Sequence, residues 1–248
     1  MQRGITAASY MMSIPAYCRA AAYAAFAEQL PHIETTRGLF RAAFAIAQHE
    51  RPTANLAQAE VAVGQLVETV RRRVHTPNAD AKLAHLHDVL FDVIGFRGNV
   101  EDYYDPANSY LPEVLRTRRG LPITLVLIYK CVAEGVGVTV HGINSPGHFL
   151  AAVECADASS PRANSSSLMY VDPFYGGGLL TEDDVYQRIA EATGRAIPPT
   201  PEWLVPATGR QWLARMLANL QAVFASTGRE RDLLAMQELQ ALLESSAT

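Results

Sequence analysis

The sequence predicts an α+β protein with a helical N-terminal part, a buried helix on a small antiparallel sheet, and a C-terminal helix pair. Three observations predict it. Apolar residues recur at helical spacing between Ile33 and Ile94. Residues Pro122 to Glu134 are apolar on nearly every face. Short β-rich runs then follow as far as Asp172. A chain of 248 residues suits one large domain with helical attachments. The expected divisions are an N-terminal extension (1–32), a helical subdomain (33–95), the core (96–196), and a connector with a helical hairpin (197–248).

The first helices follow from Leu39, Phe40, Ala43, Phe44 and Ala47, and then from Leu56, Val61, Val63, Leu66, Val67 and Val70, with the break at His49, Arg51 and Pro52. The Arg71-Arg72-Arg73 triplet closes the second of these, where positive charge offsets the helix dipole. After a turn at Thr76-Pro77-Asn78, a third helix carries Leu83, Leu86, Leu90, Phe91 and Ile94 and stops at Gly95. Residues Gly95 to Tyr110 are dense in turn formers yet hold three tyrosines, so this loop is expected to fold over the core. Asn108 or Ser109 is expected to cap a short helix around Glu113 to Arg116.

Pro122 suits the first turn of the buried helix, and Gly135 and Gly137 suit its end. Strands are expected at Val138–Ile143, Phe149–Glu154 and Leu168–Val171, with a polar hairpin loop from Asp157 to Ser167. Gly176-Gly177-Gly178 lacks the context of a phosphate loop and reads as a turn. Thr181 followed by Glu182, Asp183 and Asp184 starts another helix. Beyond the proline-rich connector from Ile197 to Pro206, helices run from about Arg210 to Ser226 and from Glu230 to Leu243, turning at Gly228.

Composition narrows the function classes. The net charge is −4, which supplies no field for nucleic acid or an anionic membrane, and neither partner is expected. Cys18, Cys131 and Cys155 are too few for a disulfide framework and too scattered for a metal site, so no metal or cofactor is expected. Free thiols fit a reducing compartment, most simply cytoplasm. No run is long and apolar enough for a bilayer. From Met1 to Ala27 there is no acid. A targeting peptide stays open there, although Pro15 and Arg19 interrupt the apolar run and favour a plain extension.

The chemistry centres on His148 and Asp172. In an antiparallel hairpin the start of one strand lies beside the end of the next, so these two become neighbours. A carboxylate beside an imidazole fixes its tautomer and stabilises the imidazolium, the supporting part of a nucleophilic triad. The remaining member would come from the amino end of the buried helix, where the dipole lowers a thiol pKa. The alternative reading is a buried hydrogen-bonded pair that only fixes the hairpin.

This order of elements resembles the transglutaminase-like superfamily. Leu90-Phe-Asp-Val-Ile-Gly-Phe-Arg-Gly-Asn99, Tyr103-Tyr-Asp-Pro-Ala-Asn-Ser-Tyr-Leu111, Arg118-Arg-Gly-Leu-Pro-Ile-Thr-Leu125, Pro146-Gly-His-Phe149 and Asp172-Pro-Phe174 look like the SirB family. The resemblance spans roughly Ile33 to the end. It implies a helical N-terminal part, a transglutaminase-like core and a tetratricopeptide-like helix pair. It also implies the superfamily histidine at His148, its aspartate at Asp172, and its cysteine position at Pro122. The SirB family has proline there as well, which implies a domain without the usual nucleophile.

Substitutes for that nucleophile are poor. Cys131 is nine residues on, half a turn out of phase with Pro122, and reads as a core thiol. Thr124 lies in the first turn, but a hydroxyl is a weaker nucleophile than a thiolate. Ser145 reads as a turn residue, and Cys155 falls at the far end of the strand from His148. The expected binding residues are Tyr103, Asn108, Arg119 and Thr124; the first three either line a pocket with the His148–Asp172 pair or tie the long loop down. His85 and His87 are expected to be solvated. Two functions follow: a non-catalytic or regulatory protein that binds a peptide or protein partner in the cleft, or an amide hydrolase or acyltransferase with an unconventional nucleophile or water. Pro122 favours the first. The sequence does not specify an oligomeric state.

Overall fold

A computed structural model describes residues 14–75, 78–155, 167–195 and 198–246. Thr76 and Pro77 of the expected turn, residues 157–166 of the hairpin loop, and residues 1–13 of the extension lie outside them. The chain opens with α1 (Ala20–Gln29), which buries Ala22, Tyr23 and Phe26 and packs on α2 (Thr36–Ala47). Thr35 caps α2, its hydroxyl accepting from the Gly38 N–H at 3.1 Å. Helix α3 (Leu56–Arg71) is capped in the same manner by Asn55.

Helix α4 (Ala79–His87) runs into a wider π turn over Asp88–Val93, in which the Ile94 N–H donates to the Val89 carbonyl. The expected helix through Ile94 therefore changes pitch near its end. Val89 and Leu90 of this turn are both buried. Gly95 stops it at φ +79°.

The two-residue strands β1 (Arg97–Gly98) and β2 (Arg119–Gly120) pair in parallel and flank α5 (Leu111–Thr117). Neither Asn108 nor Ser109 caps α5, contrary to the expectation. They sit in a 3₁₀ turn, Pro106–Ser109, whose own cap is Asp105, and α5 starts at Leu111 without a side-chain cap. Pro112 removes one of the donors a cap would serve.

Helix α6 (Pro122–Gly135) buries ten of its 14 residues and packs on α2, α3 and the sheet. The sheet is antiparallel in the order β3 (Val140–Ile143), β4 (Leu150–Cys155), β5 (Ser167–Asp172), β6 (Gly178–Leu180). Strand β6 has no counterpart among the expected strands. Gly176 and Gly177 do form the turn, at φ +74° and +78°, but Gly178 leaves it and pairs with Asp172. Exposed Leu179 and the glycines hide any alternating pattern.

Helix α7 (Glu182–Thr193) starts with the capping box Thr181–Asp184. The connector joins the edge of β3, through an Ile143–Pro206 bridge and a hydrogen bond from the Ala207 N–H to Gly142 O at 2.8 Å. Helices α8 (Gly209–Ser226) and α9 (Glu230–Ser245) then form the expected helix pair. Trp212 of α8 lies against Phe149 at a centroid distance of 4.6 Å and covers Gly142. A methyl on Gly142 would come within 2.1 Å of that indole, so the absence of a side chain there seats α8 on the sheet. No helix among the described residues is long and apolar enough to cross a membrane.

Candidate functional site

Register brings the pair together. Ala151 lies opposite Val171, so Leu150 falls level with Asp172, and His148 comes two residues before Leu150, just past the turn. The His148 Nε2 lies 2.9 Å from Asp172 Oδ2, and both residues are buried. Asp172 Oδ1 accepts from the Phe174 N–H at 3.1 Å, so the carboxylate also caps the short turn Pro173–Tyr175. The carboxylate thus orients the imidazole through Nε2, leaving Nδ1 as the nitrogen away from it.

Pro122 is buried at the first position of α6, which packs on β4 and on the Pro173–Tyr175 turn. Thr124 is fully buried in the same helical turn, and its hydroxyl has no hydrogen-bond partner among the described residues, His148 included. Cys131 faces another way, into a cleft of about 310 Å³ lined also by Phe40, Glu60 and Val63. Burial pushes the Cys131 thiol up to about 12, which leaves it protonated. Ser145 is buried and its hydroxyl donates to Trp203 O at 3.2 Å, tethering the connector.

Asn108 and Arg119 hold the long loop. The Asn108 amide donates to Asp102 O at 2.6 Å and Tyr103 O at 3.2 Å, and its Oδ1 accepts from Asn99 at 3.0 Å. The Leu121 N–H donates to Asn108 O, which ties this loop to the start of α6. Arg119 donates to Gly95 O at 2.9 Å and Arg118 O at 3.0 Å. Tyr103 is thereby set beside Phe174, 6.0 Å between centroids, and Phe174 stands edge-on to His148 at 6.1 Å. Tyr175 lies 6.2 Å from His148 and is 54% exposed. Gly98 backs Phe174 so closely that a methyl there would meet the ring at 2.4 Å.

Two arginines that the sequence reading did not single out join the site. Arg188 of α7 stacks on the Tyr175 ring at 4.3 Å, with Nε 3.7 Å from Asp172 Oδ2. Arg215 of α8 donates from Nη1 to Asn144 Oδ1 at 2.9 Å and to Ser145 O at 3.4 Å. Neither helix has a motif that fixes which face meets the His148 turn. The helical period of α8 alone would have put Arg215 near the buried edge that includes Trp212.

The basic triplet is structural: Arg71 donates to Gly135 O at the end of α6, Arg72 pairs with Glu68, and Arg73 with Asp88. His87 is a correction. It is half-buried rather than solvated, with Nε2 2.8 Å from the Tyr129 hydroxyl, and burial lowers its pKa to about 4.

A buried helix on a four-stranded antiparallel sheet, with a histidine and an aspartate paired at adjoining strand ends, defines a transglutaminase-like core. The family described as the Transglutaminase-like superfamily matches residues 57–218, and the chain belongs to it. It is similar to a UPF0162 protein of Xylella fastidiosa, 33% identical over 200 residues, covering 79% of this chain and 68% of that one. A UPF0162 protein of Vibrio cholerae is 24% identical over 200 residues, covering 80% and 70%. F-box only protein 21 of Homo sapiens is 38% identical over 93 residues, covering 38% of this chain and 15% of that protein. No solved structure matches.

Proposed function

We propose that this protein is a non-catalytic, regulatory transglutaminase-like protein that binds a peptide or protein partner in the His148–Asp172 cleft. The observation that carries the reading is Pro122 at the first position of α6, where a proline offers neither nucleophile nor N–H. The rim supports it too. Tyr103 and Tyr175 are 37% and 54% exposed beside a buried dyad, and aromatic side chains give contact area at low entropic cost. In this reading Asn108 and Arg119 serve binding by fixing the loop that carries Tyr103. The tetratricopeptide-like nature of α8 and α9 belongs to the same proposal, supported by the packing of those two helices on each other, and so does the finer assignment to the SirB family, which rests on the motifs between Leu90 and Phe174.

A second reading has one observation in its favour. The Thr124 hydroxyl is buried without a hydrogen-bond partner among the described residues, in the helical turn that begins with Pro122. With His148 as base it would be an acyl-accepting nucleophile of an amide hydrolase or acyltransferase. Incubation with hydroxyl- and thiol-directed covalent probes, followed by peptide mass mapping, separates the two. The binding reading expects no adduct that depends on His148. An adduct on Thr124 that vanishes in His148→Ala would overturn it.

A further inference from the structure

Arg215 stands apart from the other charged groups around the cleft. Arg188 has Asp172 at 3.7 Å and Glu191 at 3.4 Å to offset its charge. Arg215 is ion-paired with no carboxylate among the described residues, and its hydrogen-bond acceptors are a neutral amide and a carbonyl. Burial lowers its pKa, and Tyr103 is the titratable neighbour whose field opposes that. A guanidinium partly removed from water without a counter-ion is costly, and an incoming anion relieves that cost.

Its position ties it to the dyad. The Arg215 Nη1 and the His148 N–H donate to the same acceptor, Ser145 O, at 3.4 Å and 3.3 Å. Buried Trp212 and Met216 on α8 fix the base of the side chain. Among the described residues only Nη1 is engaged, so Nε and Nη2 remain as a side-on fork matched to a carboxylate. The chain as a whole carries a net charge of −4, so attraction for an acid here is local.

We propose that Arg215 is a carboxylate-recognition residue beside His148, holding an acidic group of a peptide whose apolar part rests on the exposed rings of Tyr103 and Tyr175. The acid is either the peptide's C-terminal carboxylate or an Asp or Glu side chain. This rests on the binding reading of the cleft and deepens it.

The test is a two-dimensional NMR titration that follows the His148 amide and the Arg215 Nε–H. Three probes are used: N-acetyl-Leu-Phe-Gly with a free carboxylate, its carboxamide, and N-acetyl-Leu-Phe-Glu-Gly carboxamide. At least one acid-bearing peptide is expected to shift both signals saturably. The acid-free carboxamide should bind about tenfold more weakly, and Arg215→Gln should erase that difference. A preference for the free terminus or for internal Glu identifies the source of the acid, and each supports the proposal. Equal binding of all three peptides, unchanged in Arg215→Gln but lost in His148→Ala, would overturn the carboxylate assignment and leave the binding reading standing. No perturbation of His148 by any probe at roughly millimolar concentration would sink both.

Discussion

At the scale of single residues, Asp172 joins the most functions. It orients His148, caps the Pro173–Tyr175 turn and faces Arg188, all from a fully buried position. Asp172→Asn removes the charge and replaces one of the two accepting oxygens by an NH2 donor, so His148 and the Phe174 N–H can no longer both be served as they are by the carboxylate. The expected loss is about 1–3 kcal/mol of stability, read from urea unfolding. A change within error would show that the pair is not a structural tie. This pair is legible in the sequence because hairpin geometry alone makes the start of one strand and the end of the next neighbours. Arg188 and Arg215 are not, because they arrive on α7 and α8, and helix rotation against a sheet is set by packing. Gly142 under Trp212 is part of that packing, and no local pattern announces it.

At the scale of elements, local chemistry fixes most of the boundaries and long-range pairing fixes the rest. The helix start at Thr181 and the turn at Gly228 are read directly, and the structure gives them a capping box and a positive φ. Strands β1, β2 and β6 cannot, since two or three residues carry no period and exist only through their partners. The end of α4 gives a testable case. His87 packs between Phe91 and Tyr129 on neighbouring α6, and its pKa falls to about 4 through burial. That value lies below the ordinary 6.5, so between the two the unfolded chain takes up the proton first. Stability is therefore full above pH 6.5 and falls as the pH drops towards 4. His87→Gln, which keeps a donor for Tyr129, should flatten the thermal-stability profile across this window. An equally steep profile in the variant would remove His87 as a source of the acid sensitivity.

At the scale of the whole molecule, the C-terminal pair ties back onto the start of the described chain. Glu238 of α9 accepts from the N–H groups of Ala16 at 2.7 Å and Cys18 at 2.8 Å, so it anchors the segment that leads into α1. Glu50 bonds the Tyr110 hydroxyl and Arg229, while His49 bonds Asp232, linking the end of α2 to α9. Glu238→Gln should speed amide exchange at residues 16–18 and expose the Cys18 thiol, which burial now holds near 12. Unchanged exchange at those amides would place the anchor elsewhere. Helix α6 also packs on β4 and on the Pro173–Tyr175 turn, and the proposed function takes its amino end as the place where a triad nucleophile would stand. The substitution Pro122→Cys tests this most directly, because a first-turn position tolerates the change. The account predicts that the introduced thiol reacts with iodoacetamide at pH 6 at least about tenfold faster than an ordinary cysteine, and that adding His148→Ala removes the acceleration. A Pro122→Cys variant whose thiol reacts no faster than an ordinary one, or is indifferent to His148, would contradict the claim that the cleft retains the rest of a triad.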